Sequence, residues 1–254
     1  MKNKARMIVL AAGMGKRLSP LSDDRPKCMV EYKNKKIIDY LFQTAQDCDI
    51  DDISIVGGYF ASVLREYTKP FVRRFYENPD YQTTNMLATF FCAREFLESC
   101  IEEEYDLIVS YTDIIYHPYI LQTLIDFNGD FGIIVDRQWK ELWEKRFEDP
   151  LSDAETLQIF CNKIIEIGKK PKNYNQIQGQ YIGLFKFSFS FLKDVLKLYD
   201  KLDRNILYDY QSFNQMYMTS FLQELIAEFN NAIPVFIDGG WHEIDHLKDL
   251  EIEF

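Results

Sequence analysis

The run Ile8-Val9-Leu10-Ala11-Ala12-Gly13-Met14-Gly15-Lys16-Arg17-Leu18-Ser19-Pro20-Leu21, followed by Pro26-Lys27, leads from an apolar strand into a glycine-spaced loop that ends in cations. Glycine lets backbone N–H groups approach an anion closely, and lysine and arginine neutralise it. These residues therefore predict a phosphate site at the carboxyl end of a first strand. Two common phosphate loops do not fit. The P-loop needs four residues between its glycines and then Gly-Lys-Ser/Thr. The dinucleotide fingerprint needs a third glycine and an immediate helix. Here position 18 is Leu and Pro20 soon interrupts any helix.

Acids follow later. Asp113 comes just after the buried run Asp106-Leu107-Ile108-Val109-Ser110, where an ordinary turn or helix cap would also place an acid. Glu243 and Asp245 lie in Gly239-Gly240-Trp241-His242-Glu243-Ile244-Asp245-His246. That segment also matches the His-Glu-x-x-His pattern of zinc proteases. The pattern needs both histidines on one helical face, yet two glycines precede it and Asp245 is a natural cap. A third ligand is scarce: the remaining histidine is His117, and downstream only Glu251 or Glu253 could serve. The protease is kept as a remote alternative.

With Leu-Ala-Ala-Gly-x-Gly-x-Arg-Leu-x-Pro-Leu and the later Pro-Lys in view, the chain resembles the nucleotidyltransferases that join a nucleoside triphosphate to a phosphorylated small molecule. It looks closest to the phosphocholine cytidylyltransferase-like branch beside the sugar-1-phosphate enzymes. The resemblance implies that Leu10, Ala11, Ala12, Gly13, Gly15, Lys16 and Arg17 hold the triphosphate and Lys27 the acceptor phosphate. It implies that Asp113 and Asp245 bind Mg²⁺. Thr112 stands where the sugar enzymes have glycine, which favours the cytidylyltransferase branch. Lys169, in Glu166-Ile167-Gly168-Lys169-Lys170-Pro171, resembles an acceptor-phosphate lysine, with Lys170 its competitor. Gly58, Asn78 and Asn85 match segments that line the nucleotide pocket, although Asn-Pro is also an ordinary turn and Asn85 an ordinary cap. Tyr181 and Glu243 fall on the acceptor side. Trp139, Trp143 and Tyr181 read first as core aromatics, though an acceptor with a quaternary ammonium would want such faces.

The implied reaction is transfer of CMP from CTP, with Lys27, Arg17 and Lys169 as the catalytic cations. The acceptor would be phosphocholine-, phosphonate- or phospho-amino-acid-like, for decoration of a surface polysaccharide. A sugar-1-phosphate enzyme using UTP or dTTP is the second reading. A regulatory subunit without activity is a third, opposed by the intact Lys27, Asp113 and Asp245.

Composition sets the bounds. The chain has 254 residues and is 47% hydrophobic, enough for one substantial α/β core. It carries 29 basic and 40 acidic residues, a net charge of −11, so a nucleic-acid partner would be repelled. Its 5 cysteines are odd in number with no Cys-x-x-Cys, which reads as reduced thiols in a cytoplasmic protein. No apolar run suggests a membrane span and the N-terminus shows no cleavage-like site. A homodimer is compatible with the chain but is not written in its residues.

Strand and helix signals alternate through the first half: strands at 6–12, 53–56, 71–76, 107–110 and 131–135, and helices at 36–48, 60–67, from about 84 to 96, and 118–127. The second half predicts strands at 157–167 with a break at 162–163, 178–187 and 235–237. Helices follow at 189–201, 219–229 and from about 245. The fold class is α/β, a Rossmann-like three-layer sandwich with a mostly parallel mixed sheet. One domain spans 1–254, with a nucleotide-binding half (1–136) and an acceptor-binding half (137–254). Ligands in such sheets bind beyond the carboxyl ends of the strands, where the glycine loop, Gly57-Gly58, Asp113 and Asp136 all fall.

Overall fold

The structure, a computed structural model, describes residues 4–254. Residues 1–3, part of the N-terminus read above as lacking a cleavage-like site, lie outside the described residues.

The strands are β1 (Ala5–Ala11), β2 (Glu31–Tyr32), β3 (Lys35–Lys36), β4 (Ile53–Gly57), β5 (Arg74–Glu77), β6 (Asp106–Tyr111), β7 (Ile114–Tyr116), β8 (Phe131–Asp136), β9 (Leu157–Phe160), β10 (Lys163–Ile167), β11 (Gln180–Phe187), β12 (Ala232–Ile237) and β13 (Trp241–Glu243). The helices are α1 (Ile37–Asp47), α2 (Ala61–Thr68), α3 (Met86–Phe91), α4 (Arg94–Glu102), α5 (Pro118–Asp126), α6 (Trp139–Arg146), α7 (Phe189–Lys201) and α8 (Met218–Phe229). One seven-stranded sheet runs β12-β8-β11-β6-β1-β4-β5. Within it β11 is antiparallel to both neighbours, and the other pairings are parallel.

Side chains alternate across a strand, so β1 feeds two cores. Ile8 and Leu10 join α3, α4, α7 and α8 on one face, while Met7, Val9 and Ala11 join α1, α5 and α6 on the other. The result is helix, sheet, helix. Among the described residues no helix is long and apolar enough to cross a membrane.

Several expectations shift in detail. The strand expected at 71–76 begins at Arg74, because Phe71 turns outward and stacks on Phe42 at 4.7 Å. The single helix expected from residue 84 is two, interrupted at Cys92-Ala93. The terminal helix is a short 3₁₀ turn, Leu247–Glu251. Helix α6 and the small ladders β2/β3 and β7/β13 lie where the sequence reading placed no element. Residues 157–167 do break where expected, with Cys161 and Asn162 both at positive φ.

Candidate active site

A third, smaller cluster lies under the cationic loop: Leu18, Val30, Tyr32, Ile37, Ile115 and Ile244. Four of these six lie beside a charged group of the site. Leu18 follows Arg17, Val30 is three residues after Lys27, Ile115 two after Asp113, and Ile244 precedes Asp245. Burying these apolar residues together fixes the charged ones above them. Two further ties complete the frame. β7 pairs antiparallel with β13, Ile114 opposite Glu243, and the Ile244 N–H donates to the Asp113 carbonyl at 2.8 Å. The Thr112 hydroxyl donates to the Leu10 carbonyl at 3.0 Å, tying the end of β6 to the end of β1.

The charged groups converge. Lys27 Nζ lies 2.9 Å from Asp113 Oδ2 and 2.7 Å from Asp245 Oδ1. Arg17 reaches the other oxygen of Asp245 at 2.5 Å. Burial alone would discharge Lys27, but the two carboxylates outweigh it and hold the ammonium above its usual pKa. Burial likewise disfavours ionised Asp245, yet Lys27 and Arg17 pull its pKa below the ordinary value.

The loop before these cations is built for close approach. Gly15 has φ +62°, and a Cβ there would fall 2.7 Å from Lys27 Cβ, so glycine lets the loop press against Lys27. The Ser22 hydroxyl closes the loop onto the Gly15 carbonyl at 2.7 Å. A Cβ on Gly13 would meet nothing within 4 Å, because Gly13 faces open space. Two small cavities flank it. One of about 60 Å³ is lined by Leu10, Ala11, Gly13, Lys27, Thr112 and Asp113. The other, about 100 Å³, is lined by Leu10, Ala12, Gly13, Thr84, Asn85 and Thr89. Gly58 stands behind this wall, where a Cβ would fall 2.8 Å from the Cβ atoms of Ala12 and Tyr81.

A larger cavity of about 310 Å³ opens on the other side of Asp113. Arg17, Asp113, Glu243 and Asp245 form its charged end, while Asp153, Glu155, Trp143, Tyr111, Tyr181 and Tyr217 line the rest. Tyr111 and Tyr181 meet edge to face at 5.8 Å. Burial pushes the Glu155 carboxyl up to about 7, with Asp153 adding to it. Burial does the same to Glu243, also to about 7, although Arg146 opposes it. Met86 and Asn85 stand between the large cavity and the smaller ones.

Not every expected residue arrives. Asn78 is buried and fully occupied: its Nδ2 donates to Thr84 at 3.0 Å and Thr89 at 2.9 Å, and its Oδ1 accepts from the Asp80 N–H. It shapes the wall and offers nothing to a nucleotide. Asn85 caps α3 through the Met86 N–H but does line the cavities. Lys169 points away, paired with Glu166 at 3.0 Å on an exposed turn, and Lys170 is held by the Leu151 carbonyl at 2.6 Å. Neither lysine lines the large cavity. Lys16 is exposed. Asp136 binds the Trp241 indole at 2.8 Å and the Gly239 N–H at 2.9 Å, a purely structural post.

The zinc-protease motif dissolves. His242 sits in β13, buried, with Nε2 on the Asp249 carbonyl at 2.7 Å, and His246 follows in a turn. The two rings do not share a helical face. Among the described residues no three His, Cys, Asp or Glu side chains gather as a cation site. Asp113 and Asp245 do suit a hard divalent ion. They are two carboxylates from separate segments, turned on one point that a single ammonium now satisfies, with cavity space beside them for phosphate oxygens and water.

Known proteins show the family and the fold. A CTP:phosphoglutamine cytidylyltransferase of Campylobacter jejuni is 53% identical over 247 residues, covering 97% of this chain and 98% of that one. The structure of CTP:phosphocholine cytidylyltransferase from Streptococcus pneumoniae superposes with a TM-score of 0.73 at 19% identity, covering 98% of this chain and 96% of that one. That of the inositol-1-phosphate CTP transferase from T. maritima does so with a TM-score of 0.75 at 18% identity, covering 98% and 93%. Residues 7–146 match the MobA-like NTP transferase domain, so this chain belongs to that nucleotidyltransferase family.

Proposed function

We propose that the chain is a cytidylyltransferase that moves CMP from CTP onto a small phosphorylated acceptor bearing an amino or ammonium group, with Mg²⁺ as the divalent ion. One observation carries the reading: Lys27, Asp113, Asp245 and Arg17 meet where the small cavities beside the glycine loop adjoin the large one. The lining of the large cavity supports the amine, since aromatic faces and carboxylates both favour a cation. The relatives at 53% and 19% identity act, by name, on phosphoglutamine and phosphocholine.

In this reaction an anionic phosphate oxygen of the acceptor forms a bond to the α-phosphorus of CTP. The bond from that phosphorus to the bridging oxygen breaks, and pyrophosphate leaves with the electron pair. No general base is needed, because the attacking oxygen is already deprotonated. The barrier lies in bringing two anions together in line. Lys27 lowers it by screening the acceptor phosphate, and Arg17 by holding the triphosphate. The Gly13–Gly15 backbone lets the phosphates approach closely. Asp113 and Asp245 would hold Mg²⁺, which when bound neutralises charge on the phosphate oxygens. The product would be CDP-linked and would serve decoration of a surface polysaccharide. All five cysteines are free, which supports a cytoplasmic setting.

The test is pyrophosphate release with each of the four nucleoside triphosphates, set against phosphocholine, phosphoglutamine, an aminoalkylphosphonate and a hexose 1-phosphate. Turnover with CTP and a nitrogen-bearing acceptor, abolished by a chelator, is expected. Turnover confined to UTP or dTTP with the sugar phosphate would overturn the proposal in favour of a sugar-nucleotide enzyme.

A further inference from the structure

Arg146 lies at the last turn of α6, about a hundred residues from the acids it holds, and its side chain is 1% exposed. One edge of its guanidinium donates to the Glu243 carboxylate on the cavity wall. The other edge donates to Asp249, from Nε at 3.2 Å and Nη2 at 3.4 Å. Asp249 is fully buried, and its Oδ2 accepts the backbone N–H groups of Asp245 at 2.9 Å and His246 at 2.8 Å. The rings of Trp143 and Phe147 flank the guanidinium at 5.3 Å and 5.0 Å, and His242 bonds the Asp249 carbonyl.

A buried acid (Asp249), a partly exposed one (Glu243) and a buried base would be costly as isolated charges. Joined, they form a clasp. The fork of Arg146 fixes the distance between Glu243 and Asp249, and Asp249 in turn grips the peptide that carries Asp245. Lysine could supply the charge but not the two-edged geometry.

We propose that Arg146 is a positioning residue for nucleotidyl transfer: through Asp249 it sets the backbone of Asp245, so that this carboxylate meets Lys27, and it holds Glu243 against the acceptor cavity. The proposal rests on the transferase reading above. Arg146 touches none of the reacting atoms, so its loss should lower turnover more than substrate binding. A displacement of about 1 Å at a reacting centre costs roughly 100-fold in rate.

The test uses Arg146→Met, Arg146→Lys and Asp249→Asn in the full chain. Steady-state kinetics and amide hydrogen exchange at Asp245 and His246 are measured together. Arg146→Met and Asp249→Asn should each lower kcat about 100-fold, leave KM for CTP within about threefold, and speed exchange at both amides. Arg146→Lys should recover part of kcat. If Arg146→Met fails to fold, Asp249→Asn decides, because it keeps the size and shape of the side chain. Unchanged exchange in Asp249→Asn, or unchanged kcat in either folded variant, would overturn the clasp. A wild-type chain that transfers no nucleotide at all would instead overturn the transferase reading, and the exchange data would still report on the clasp.

Discussion

Lys27 and Asp245, separated by 218 residues of sequence, share a hydrogen bond of 2.7 Å between ammonium and carboxylate. The same nitrogen bonds Asp113 at 2.9 Å. One cation thus closes a triangle among the start, middle and end of the chain, at the junction of two cavities. In a protein with a net charge of −11, that cation has two tasks. It keeps two close carboxylates from repelling each other, and in the proposed reaction it would attract an anionic acceptor.

Lys27→Ala should therefore cost both stability and acceptor use. Removing one partner of a buried ionic group leaves uncompensated charge, worth about 3 kcal/mol, readable as a lower urea midpoint. Millimolar Mg²⁺ should restore part of it. The Asp245 pKa is held below its ordinary value, so its contribution is present above the unfolded-state pKa of about 4 and is lost as pH falls through the folded value. Without Lys27 the acid unfolding midpoint should move to higher pH. In kinetics, kcat/KM for the acceptor should fall at least 100-fold while KM for CTP changes little. A larger effect on CTP than on the acceptor would assign Lys27 to the wrong substrate.

The two loop glycines should separate binding from folding. Gly13 faces empty space and its φ is not in the left-handed region, so Gly13→Ala should fold with unchanged stability. Its methyl group would enter the cavity proposed to receive the nucleotide, raising KM for CTP roughly tenfold, as the loss of about 1.4 kcal/mol does. Gly15 is the reverse case. At φ +62°, with a Cβ clash against Lys27, Gly15→Ala should cost about 1–2 kcal/mol and disturb acceptor use through Lys27. Equal thermal shifts in the two variants would contradict this division.

Asn78 and Lys169 test the assignments that the structure revises. Asn78→Ala leaves the Thr84 and Thr89 hydroxyls and the Asp80 N–H short of partners, at about 1–3 kcal/mol for an unsatisfied group. A lower melting temperature is expected, with little change in KM for CTP once folded. Lys169→Ala removes an exposed pair with Glu166, worth at most ~1 kcal/mol. Its kcat/KM for the acceptor should stay within about threefold of wild type. A 100-fold loss would show that the turn swings Lys169 onto the acceptor during catalysis.

What the sequence made legible follows the range of its signals. The parallel sheet was readable because apolar runs such as Met7–Ala12 and Leu107–Val109 are local and closed by glycine or acid. The glycine loop was readable because close phosphate approach demands specific residue types at fixed spacing. Asn78 and Lys169 misled because a turn asparagine and a turn lysine look alike whether they face a ligand or a neighbour. The destination of a side chain is set by tertiary partners, here Thr89 and Glu166, that spacing does not record. The Arg146 clasp was hidden for the same reason: its partners lie about a hundred residues downstream, and α6 is too short and polar to show a strong period. The Trp139 and Trp143 pair, four residues apart on one face of α6, was the available clue to that helix.

Glu155 offers a titration within the large cavity, where the acceptor is proposed to bind. Burial raises its carboxyl to about 7, so it is mostly neutral at pH 6 and mostly ionised at pH 8. An acceptor ammonium binds the ionised form better, and a charge-assisted hydrogen bond there is worth about 1.5 kcal/mol. KM for the acceptor should therefore fall about fivefold across that interval, while Glu155→Gln should hold a high, nearly flat KM. The acceptor phosphate itself titrates near pH 6, so the wild-type profile is divided by that of the variant to isolate Glu155. Stability runs the other way. A carboxyl whose folded pKa lies above its unfolded value costs stability as pH rises from the unfolded value toward 7, and the cost persists above it. In the free protein Glu155→Gln should thus be the more stable form at pH 8, by roughly 2 kcal/mol after allowance for partial solvent exposure, and no more stable at pH 4. Parallel pH profiles for the two proteins, in binding and in unfolding, would remove Glu155 from the acceptor site.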